Sequence, residues 1–276
     1  MFAKSKRMAN LTSTFEHLHT DLAETLVACR AHPDSNAVHR LRTSTRRIEA
    51  LLRKVLDDHP RATRLRGKIK RALQQLRKVR RAAGPVRDLD VQRKLVAEIT
   101  EKSRIVESIE HRKELSGECK VLDDCLHRRR KQSTAKLIKI LKVAEPTLER
   151  ALEDVPDAMA NMHETSPFKT ARRLVLDNSL DLNDVSGERL HRYRKRTKAA
   201  RYLAEMQKKS PLAQRLAKRL KRVLDDIGRW HDLMLLAQEA KVILRKRSIL
   251  TQAIKAERNH ALSVAIHSAG TMHQSR

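Results

Sequence analysis

The stretch VHRLRTSTRRIEALLRKV, residues 38–55, decides the fold of this chain. Some of its residues recur at alternating steps of three and four, which places them on one side of an α-helix, facing a core. These are Val38, Leu41, Thr45, Ile48, Leu52 and Val55. The residue after each forms a second line, about 100° around the helix, which comprises His39, Arg42, Arg46, Glu49 and Arg53. Arg40, Arg47 and Lys54 add positive charge on the far side. Arg42 and Arg46 repel each other at a spacing of four, so we expect an anion outside the helix.

The same arrangement occurs again in LHRYRKRTKAARYLAEMQKK, residues 190–209. Its predicted inward line comprises Leu190, Tyr193, Thr197, Ala200 and Ala204. The line beside it comprises His191, Arg194, Lys198, Arg201 and Glu205. A histidine followed by two basic residues therefore recurs at one spacing, and His191 stands 152 positions after His39.

A second pair of matching segments follows these two helices. The segments LRKVRRAAGPVRDLDV (residues 76–91) and LKRVLDDIGRWHDLML (residues 220–235) align at an offset of 144 positions. The positions that correspond include Gly84 with Gly228, Arg87 with His231, and Asp88 with Asp232. Two matched segments in one order indicate an internal duplication. We expect one half to pack against the other about a pseudo-two-fold axis.

Composition favours helix throughout the chain. Only 13 of the 276 residues are Gly or Pro, good helix formers dominate, and no run alternates like a strand. We therefore predict an all-α fold of two duplicated helical bundles, with about four long helices each and a basic central groove or cavity. The predicted repeats are residues 1–144 and 145–276. We expect a loose lead-in over residues 1–9 and helix ends at Gly84-Pro85, Pro146 and Gly228.

Charge and cysteine content narrow the class of protein. Lys and Arg number 61 against 33 Asp and Glu, which indicates a polyanionic partner or a generally basic, solvated exterior. The repeated charge around each histidine favours a specific site. Three cysteines are too few and wrongly spaced for a disulfide framework or a zinc site, which favours a reducing compartment. No segment reaches the roughly 18 apolar residues of a membrane span, and no secretory signal is visible. We predict a cytoplasmic location.

The four segments together resemble the CHAD family, the conserved histidine α-helical domain, and the resemblance covers nearly the whole chain. The matching residues of the first repeat are His39, Arg42, Arg46, Arg47 and Arg87. Those of the second are His191, Arg194, Lys195, Lys198, Arg201 and His231. The resemblance implies paired helical bundles around a basic surface cavity that binds inorganic polyphosphate, in proteins found with polyphosphate granules. Departures from the family pattern stand at Glu49, Ala199 and Met234.

The chemistry of these residues agrees with that implication. Polyphosphate is a flexible chain of anions with no bases to read, so its receptor needs many cations along a groove. Arginines offer fork-shaped donors to phosphate oxygens, whereas lysines act as mobile point charges. Bound phosphate would favour the doubly donating form of His39 and His191, so binding is expected to strengthen as pH falls. The alternative for each histidine is a neutral side chain satisfied at the bundle edge. Asp88 and Asp232 are expected to cap helices or brace cations.

Two other functions stay open on the sequence alone. Nonspecific nucleic-acid binding would use the same charge, but single-strand binders also present aromatic platforms, and aromatic residues are only 2% here. A metal-dependent polyphosphate hydrolase would need metal-bound carboxylates or a phosphate-cradling glycine loop. Neither a GxxxxGK nor an ExExK run occurs. We therefore expect no catalytic residue, no metal and no cofactor.

Overall fold

A computed structural model describes residues 2–104, 109–153, 155–159, 165–178, 187–244 and 248–274. Across these residues the regular secondary structure is α-helical and contains no strand, so the predicted all-α class is confirmed. The helices are α1 (Phe2–Ala31), α2 (Ser35–Asp58), α3 (Thr63–Arg104), α4 (Ile109–Glu153), α5 (Val155–Met159), α6 (Pro167–Leu176), α7 (Gly187–Glu205), α8 (Pro211–Ile243) and α9 (Ile249–Gln274). None of the described helices is long and apolar enough to cross a membrane.

The two motif helices bury the residues that their periodicity predicts. All six inward residues of α2 from Val38 to Val55 are buried, and so are the five of α7 from Leu190 to Ala204. The carboxylate of Asp34 caps α2, because its Oδ1 accepts a hydrogen bond from the Ala37 amide at 2.7 Å. The lines that carry the histidines and cations are thereby held beside a packed core.

Lys54 does not lie on the solvent side of α2, where the sequence placed it. Its side chain is 0% exposed, and its Nζ donates a hydrogen bond to Oδ2 of Asp58 at 2.6 Å. A partner four residues along the same helix allows the ammonium to remain charged inside the fold. The prediction of an exposed Lys54 was therefore wrong.

Several predicted helix ends are wrong, because the long helices continue through them. Pro85 lies inside α3 and Pro146 inside α4, and α8 runs through Gly228. Gly84 has no positive φ, so it does not form the left-handed turn that ends many helices. Helix α1 starts at Phe2, so the expected loose lead-in is also wrong.

The chain forms two compact units, each assembled from three segments. Unit 1 comprises Met1–Val86, Ser133–Asp177 and Lys198–Ala217. Unit 2 comprises Arg87–Gln132, Asn178–Thr197 and Lys218–Arg276. Each unit therefore takes residues from both predicted repeats, and the repeat boundary near residue 144 stays a prediction about the duplication.

Each unit buries its own lines of apolar side chains. The core of unit 1 is formed by α1, α2, the first part of α3, the last part of α4, and α5, with Phe15, Leu51, Leu76, Leu141 and Met159 among its buried members. In unit 2, buried residues of α3, α4, α7, α8 and α9 include Ile99, Leu122, Leu190, Leu233 and Ile254. Burial of these stripes fixes the rotation of each helix and thus the direction of its charged lines.

Candidate functional site

The predicted site residues are divided between the two units. Unit 1 contains His39, Arg42, Arg46, Arg47, Lys198 and Arg201. Unit 2 contains Arg87, His191, Arg194, Lys195 and His231. His39 and Lys195 are exposed, whereas Arg87 and the other members of both sets are partly buried.

In unit 1 a surplus of arginines surrounds the carboxylate of Glu49. Glu49 accepts hydrogen bonds from Arg53, whose Nη2 lies 3.0 Å from Oε1, and from Nη1 of Arg80 on α3. Burial lowers the pKa of the Arg80 guanidinium; Glu49 opposes this shift, whereas the charges of Arg46 and Arg53 add to it. Arg53 and Arg80 thus share one acid while Arg46 adds a third positive charge nearby, and the mutual repulsion is compensated only in part.

A second carboxylate in unit 1 joins the two motif helices. Nε of Arg201 on α7 lies 2.7 Å from Oε1 of Glu205, and Nη2 of Arg47 on α2 lies 3.8 Å from Oε2 of the same residue. The structure therefore brings together two predicted site residues, Arg47 and Arg201, that belong to different repeats of the sequence. Arg201 also lies over the ring of Tyr202, with 5.6 Å between Cζ and the ring centroid.

The guanidinium of Arg42 lies against Gly84 of α3. A Cβ atom at Gly84 would stand 3.2 Å from Nη1 of Arg42, which is closer than ordinary van der Waals contact. Nη1 also donates a long hydrogen bond of 3.4 Å to the carbonyl oxygen of Arg80. Pro85 has no amide hydrogen for the next carbonyl along, that of Arg81, so the Arg42 donor lies where the helix ladder is weakened.

The corresponding pair makes the corresponding contact in unit 2. A Cβ atom at Gly228 of α8 would stand 3.6 Å from Nη2 of Arg194. Arg42 and Arg194 hold matched positions in the sequence, as do Gly84 and Gly228. In both segments, a glycine inside a continuous helix therefore leaves room for the arginine of the motif helix.

Two predicted histidines face each other in unit 2. The rings of His191 and His231 are stacked, with centroids 6.0 Å apart and an interplanar angle of 22°. Trp230 packs edge-on to His231 at 6.5 Å, and Oδ1 of Asp232 lies 3.6 Å from Nδ1 of His231. Stacked imidazoles repel each other when both are protonated, so this pair favours a neighbouring anion in the charged state.

Sequence reasoning missed the partners of these cations. In the sequence, Glu205 is only a member of a charged line, and the two matched glycines indicate duplication and helix ends. The spacing of Arg80, four residues before Gly84, is a signal that could have placed it beside α2. Asp88 and Asp232 lie inside the continuous helices α3 and α8, so they do not cap helices. The other expectation, that they brace a neighbouring basic residue, agrees with the 3.6 Å contact of Asp232 with His231.

The matched glycines predict different responses to alanine. Gly228→Ala should stabilise the protein by about 0.5–1 kcal/mol, because glycine inside a helix is costly and the 3.6 Å contact with Arg194 is ordinary. Gly84→Ala should gain little or lose stability, because Arg42 must move and because Pro85 disfavours a helical residue with a Cβ before it. Urea unfolding followed by circular dichroism measures both free energies of unfolding.

Gly84→Ala made in an Arg42→Ala variant separates the two causes of its expected cost in stability, namely the contact with Arg42 and the effect of Pro85. The effect of Pro85 persists there, whereas the contact with Arg42 is absent. Gly84→Ala should therefore be less destabilising in that background than in the parent chain. Equal effects in the two backgrounds would show that Arg42 is not held against Gly84.

The fold and these contacts define an all-α protein whose long helices hold clustered arginines and histidines. Residues 11–241 match the family model of the CHAD domain, and the chain belongs to this family. The assignment made from the sequence is confirmed. Within the described part of the chain, no group of three or more His, Cys, Asp or Glu side chains is placed to hold a metal ion.

Solved structures share this fold at low sequence identity. The crystal structure of the CHAD domain from the plant Ricinus communis matches with a TM-score of 0.63 and 16% identity, covering 96% of this chain and 91% of that one. PptA from Streptomyces chartreusis matches with a TM-score of 0.67 and 16% identity, covering 97% of this chain and 99% of that one. A comparison with curated proteins gave no match.

Proposed function

We propose that this CHAD domain binds inorganic polyphosphate without catalysing its hydrolysis. The observation that carries the proposal is the cation surplus of unit 1, where four arginines pair with two carboxylates, Glu49 and Glu205, and a fifth arginine acts electrostatically on one of the four. Those arginines are Arg46, Arg47, Arg53, Arg80 and Arg201. We also propose that the duplicated repeats are related by a pseudo-two-fold axis and present a basic groove.

Such a cluster costs free energy until an anion joins it. Burial and the charges of Arg46 and Arg53 lower the pKa of Arg80 against the opposing effect of Glu49, which means that its guanidinium remains charged but is less well stabilised than in water. A phosphate oxygen accepts the planar donor pair of a guanidinium in a bidentate, charge-assisted geometry. A polymer with an anion on every unit relieves several such costs at once.

Unit 2 supplies a second set of donors of the same type. Arg194 lies against Gly228 as Arg42 lies against Gly84, and protonated His191 and His231 add ring N–H donors. We assign Arg87 and Lys195 to this set from their sequence match alone. Phosphate between two imidazolium rings would stabilise both charges.

The acids near the motifs already have partners, which supports a noncatalytic role. Asp90 accepts from Nε of Arg130 at 2.5 Å, Asp225 pairs with Lys221, and Asp226 accepts from Ser268. Hydrolysis of phosphoanhydrides generally uses carboxylates that are available to hold metal ions. Pure protein with Mg²⁺ or Mn²⁺ is therefore expected to release no orthophosphate from polyphosphate.

The main alternative, nonspecific nucleic-acid binding, is less well supported by the aromatic residues. Of the five aromatic residues whose burial the structure describes, Phe168 is partly buried, and Phe15, Tyr193, Tyr202 and Trp230 are buried, so these four cannot serve as exposed stacking platforms for bases. Polyphosphate needs no such platform.

Within a cell, we propose that the protein is cytoplasmic and associates with polyphosphate granules.

A competition titration tests the proposed function. Labelled long-chain polyphosphate should bind, and unlabelled polyphosphate should displace it far better than single-stranded DNA of equal phosphate concentration. The logarithm of the association constant should fall with the logarithm of salt concentration, at a slope of about −0.7 per phosphate neutralised if the single-strand value transfers. Better displacement by DNA than by polyphosphate would contradict the proposal.

A further inference from the structure

The first part of α3 carries a band of positive charge, of which the proposed site uses only Arg80. Between residues 60 and 86 the chain contains no Asp or Glu, whereas residues 63–86 contain nine Lys and Arg. Six of these nine side chains are exposed: Arg64, Lys70, Arg71, Arg77, Lys78 and Arg81. Like charges three and four residues apart on one helix cost about 0.2–0.5 kcal/mol per pair, and here no acid of the same helix segment offsets them.

Part of this band lies on the side of α3 away from the motif helix. Arg80 faces α2, because it contacts Glu49. Lys78 stands two positions earlier and hence about 200° around the helix. Arg71 and Arg64 stand seven and fourteen positions before Lys78, which keeps all three on the same side of the helix. We call Arg64, Arg71 and Lys78 the far row.

The fold itself does not require every charge of this band. In the matched segment of α8, the positions of Arg77 and Arg81 are taken by Lys221 and Asp225, which form an ion pair. The position of Arg80 is taken by Leu224, which is buried. The second segment thus neutralises or buries those three positions. At the positions of Arg64, Arg71 and Lys78 it is basic and exposed as well, with Lys208, Arg215 and Arg222. An exposed basic row is therefore a feature that the two matched segments share.

We propose that the far row is a second docking surface for polyphosphate, so that a long chain held at the α2 motif continues over α3. The inference rests on the proposed function. None of the exposed large hydrophobic residues falls between 63 and 86, which disfavours insertion into a membrane. No aromatic residue occurs there either, which disfavours base stacking.

Length is what distinguishes the far row from the motif site. The row spans 14 residues, or about 21 Å at 1.5 Å per helical residue, so tripolyphosphate cannot occupy it and the α2 motif together. A long chain can, and its second contact then forms at a high effective concentration. The far row should therefore strengthen the binding of long chains but not of tripolyphosphate. It should also allow one long chain to bridge two protein molecules.

The test compares two triple variants of the full chain that lose the same charge. The far-row variant is Arg64→Gln, Arg71→Gln and Lys78→Gln. The control variant is Lys113→Gln, Lys120→Gln and Lys241→Gln, which changes three exposed lysines of α4 and α8 in unit 2. Glutamine forms helix about as well as lysine and arginine, and circular dichroism verifies that both variants are folded. Titration calorimetry measures the dissociation constants for tripolyphosphate, long-chain polyphosphate and single-stranded DNA at several salt concentrations.

The far-row variant should bind tripolyphosphate as the parent does but long-chain polyphosphate about tenfold more weakly, because the second contact is lost. Its salt slope for the long chain should shrink by about two, at roughly 0.7 for each of three lost phosphate contacts. Equal losses in the two variants would overturn the inference, since net charge alone would then explain them. A loss confined to DNA would also overturn it. If the parent bound neither polyphosphate, the proposed function itself would fail.

Discussion

Replacing Arg42, Arg46, Arg194 and Lys198 together by alanine is expected to weaken polyphosphate binding by more than about hundredfold. Hydrogen bonds to charged groups contribute roughly 1.5–3 kcal/mol each, so the loss of only two phosphate contacts accounts for a change of that size. The four residues come from α2 and α7. Arg42, Arg46 and Lys198 lie in unit 1, and Arg194 lies in unit 2. Fluorescence titration with labelled long-chain polyphosphate measures the dissociation constant.

The fold should survive these four substitutions. The inward lines of α2 and α7 are untouched, and removal of Arg46 relieves its repulsion with Arg80. A matched control removes four exposed lysines elsewhere, namely Lys113, Lys120, Lys142 and Lys241, and should lose less than about tenfold through general electrostatics. An unchanged dissociation constant in a folded quadruple variant would remove the site assignment. A comparable loss of affinity in the control would show that net charge, and not the assigned site, accounts for binding.

Periodicity predicted the rotation of the motif helices well. Every residue placed inward on α2 and α7 is buried, including Thr45 and Thr197, which are polar. Burial of a threonine is tolerated because its hydroxyl bonds to the backbone: Oγ1 of Thr197 donates to the carbonyl of Tyr193 at 2.8 Å. Since spacing alone fixes which face meets the core, it also located the line that contains His39 and Arg42.

The sequence could not show where charged side chains find partners on other helices. Glu205 draws Arg47 and Arg201 together, although Arg47 and Glu205 lie 158 positions apart in the sequence. Long-range pairing of this kind depends on packing and leaves no local pattern.

The predicted helix ends were wrong for a related reason. The missing amide of Pro85 normally favours a break, but packing of α3 in a continuous core outweighs that local preference.

Lys54→Met is expected to destabilise the protein by about 3–5 kcal/mol, the usual cost of breaking a buried ion pair by removing one partner. Methionine fills a similar volume, so the effect comes from the carboxylate of Asp58, which is 7% exposed and would lose its charged donor. Thr165 continues to donate to Asp58 through its amide at 3.1 Å and its hydroxyl at 2.8 Å. Urea unfolding at pH 7 measures the change in free energy.

The double variant Lys54→Met with Asp58→Asn separates charge from packing. Asparagine can still accept the Thr165 hydrogen bonds but carries no charge, so most of the lost stability should return, leaving a deficit of about 1 kcal/mol. A double variant as unstable as Lys54→Met would mean that the ammonium, and not the stranded carboxylate, is what the fold requires.

The pH dependence supplies an independent check on the same pair. Burial would raise the pKa of Asp58, but hydrogen bonds from Lys54 and Thr165 and the charge of Lys54 hold it below its ordinary value of 3.8. A carboxyl whose pKa is lower in the folded state adds stability that is present above the unfolded-state value and is lost as pH falls through the folded-state value. The stability difference between the parent and the double variant should therefore be constant near neutrality and shrink below about pH 4. A difference that persists undiminished to pH 2 would show that the Asp58 charge contributes nothing, since its protonation would then have no cost.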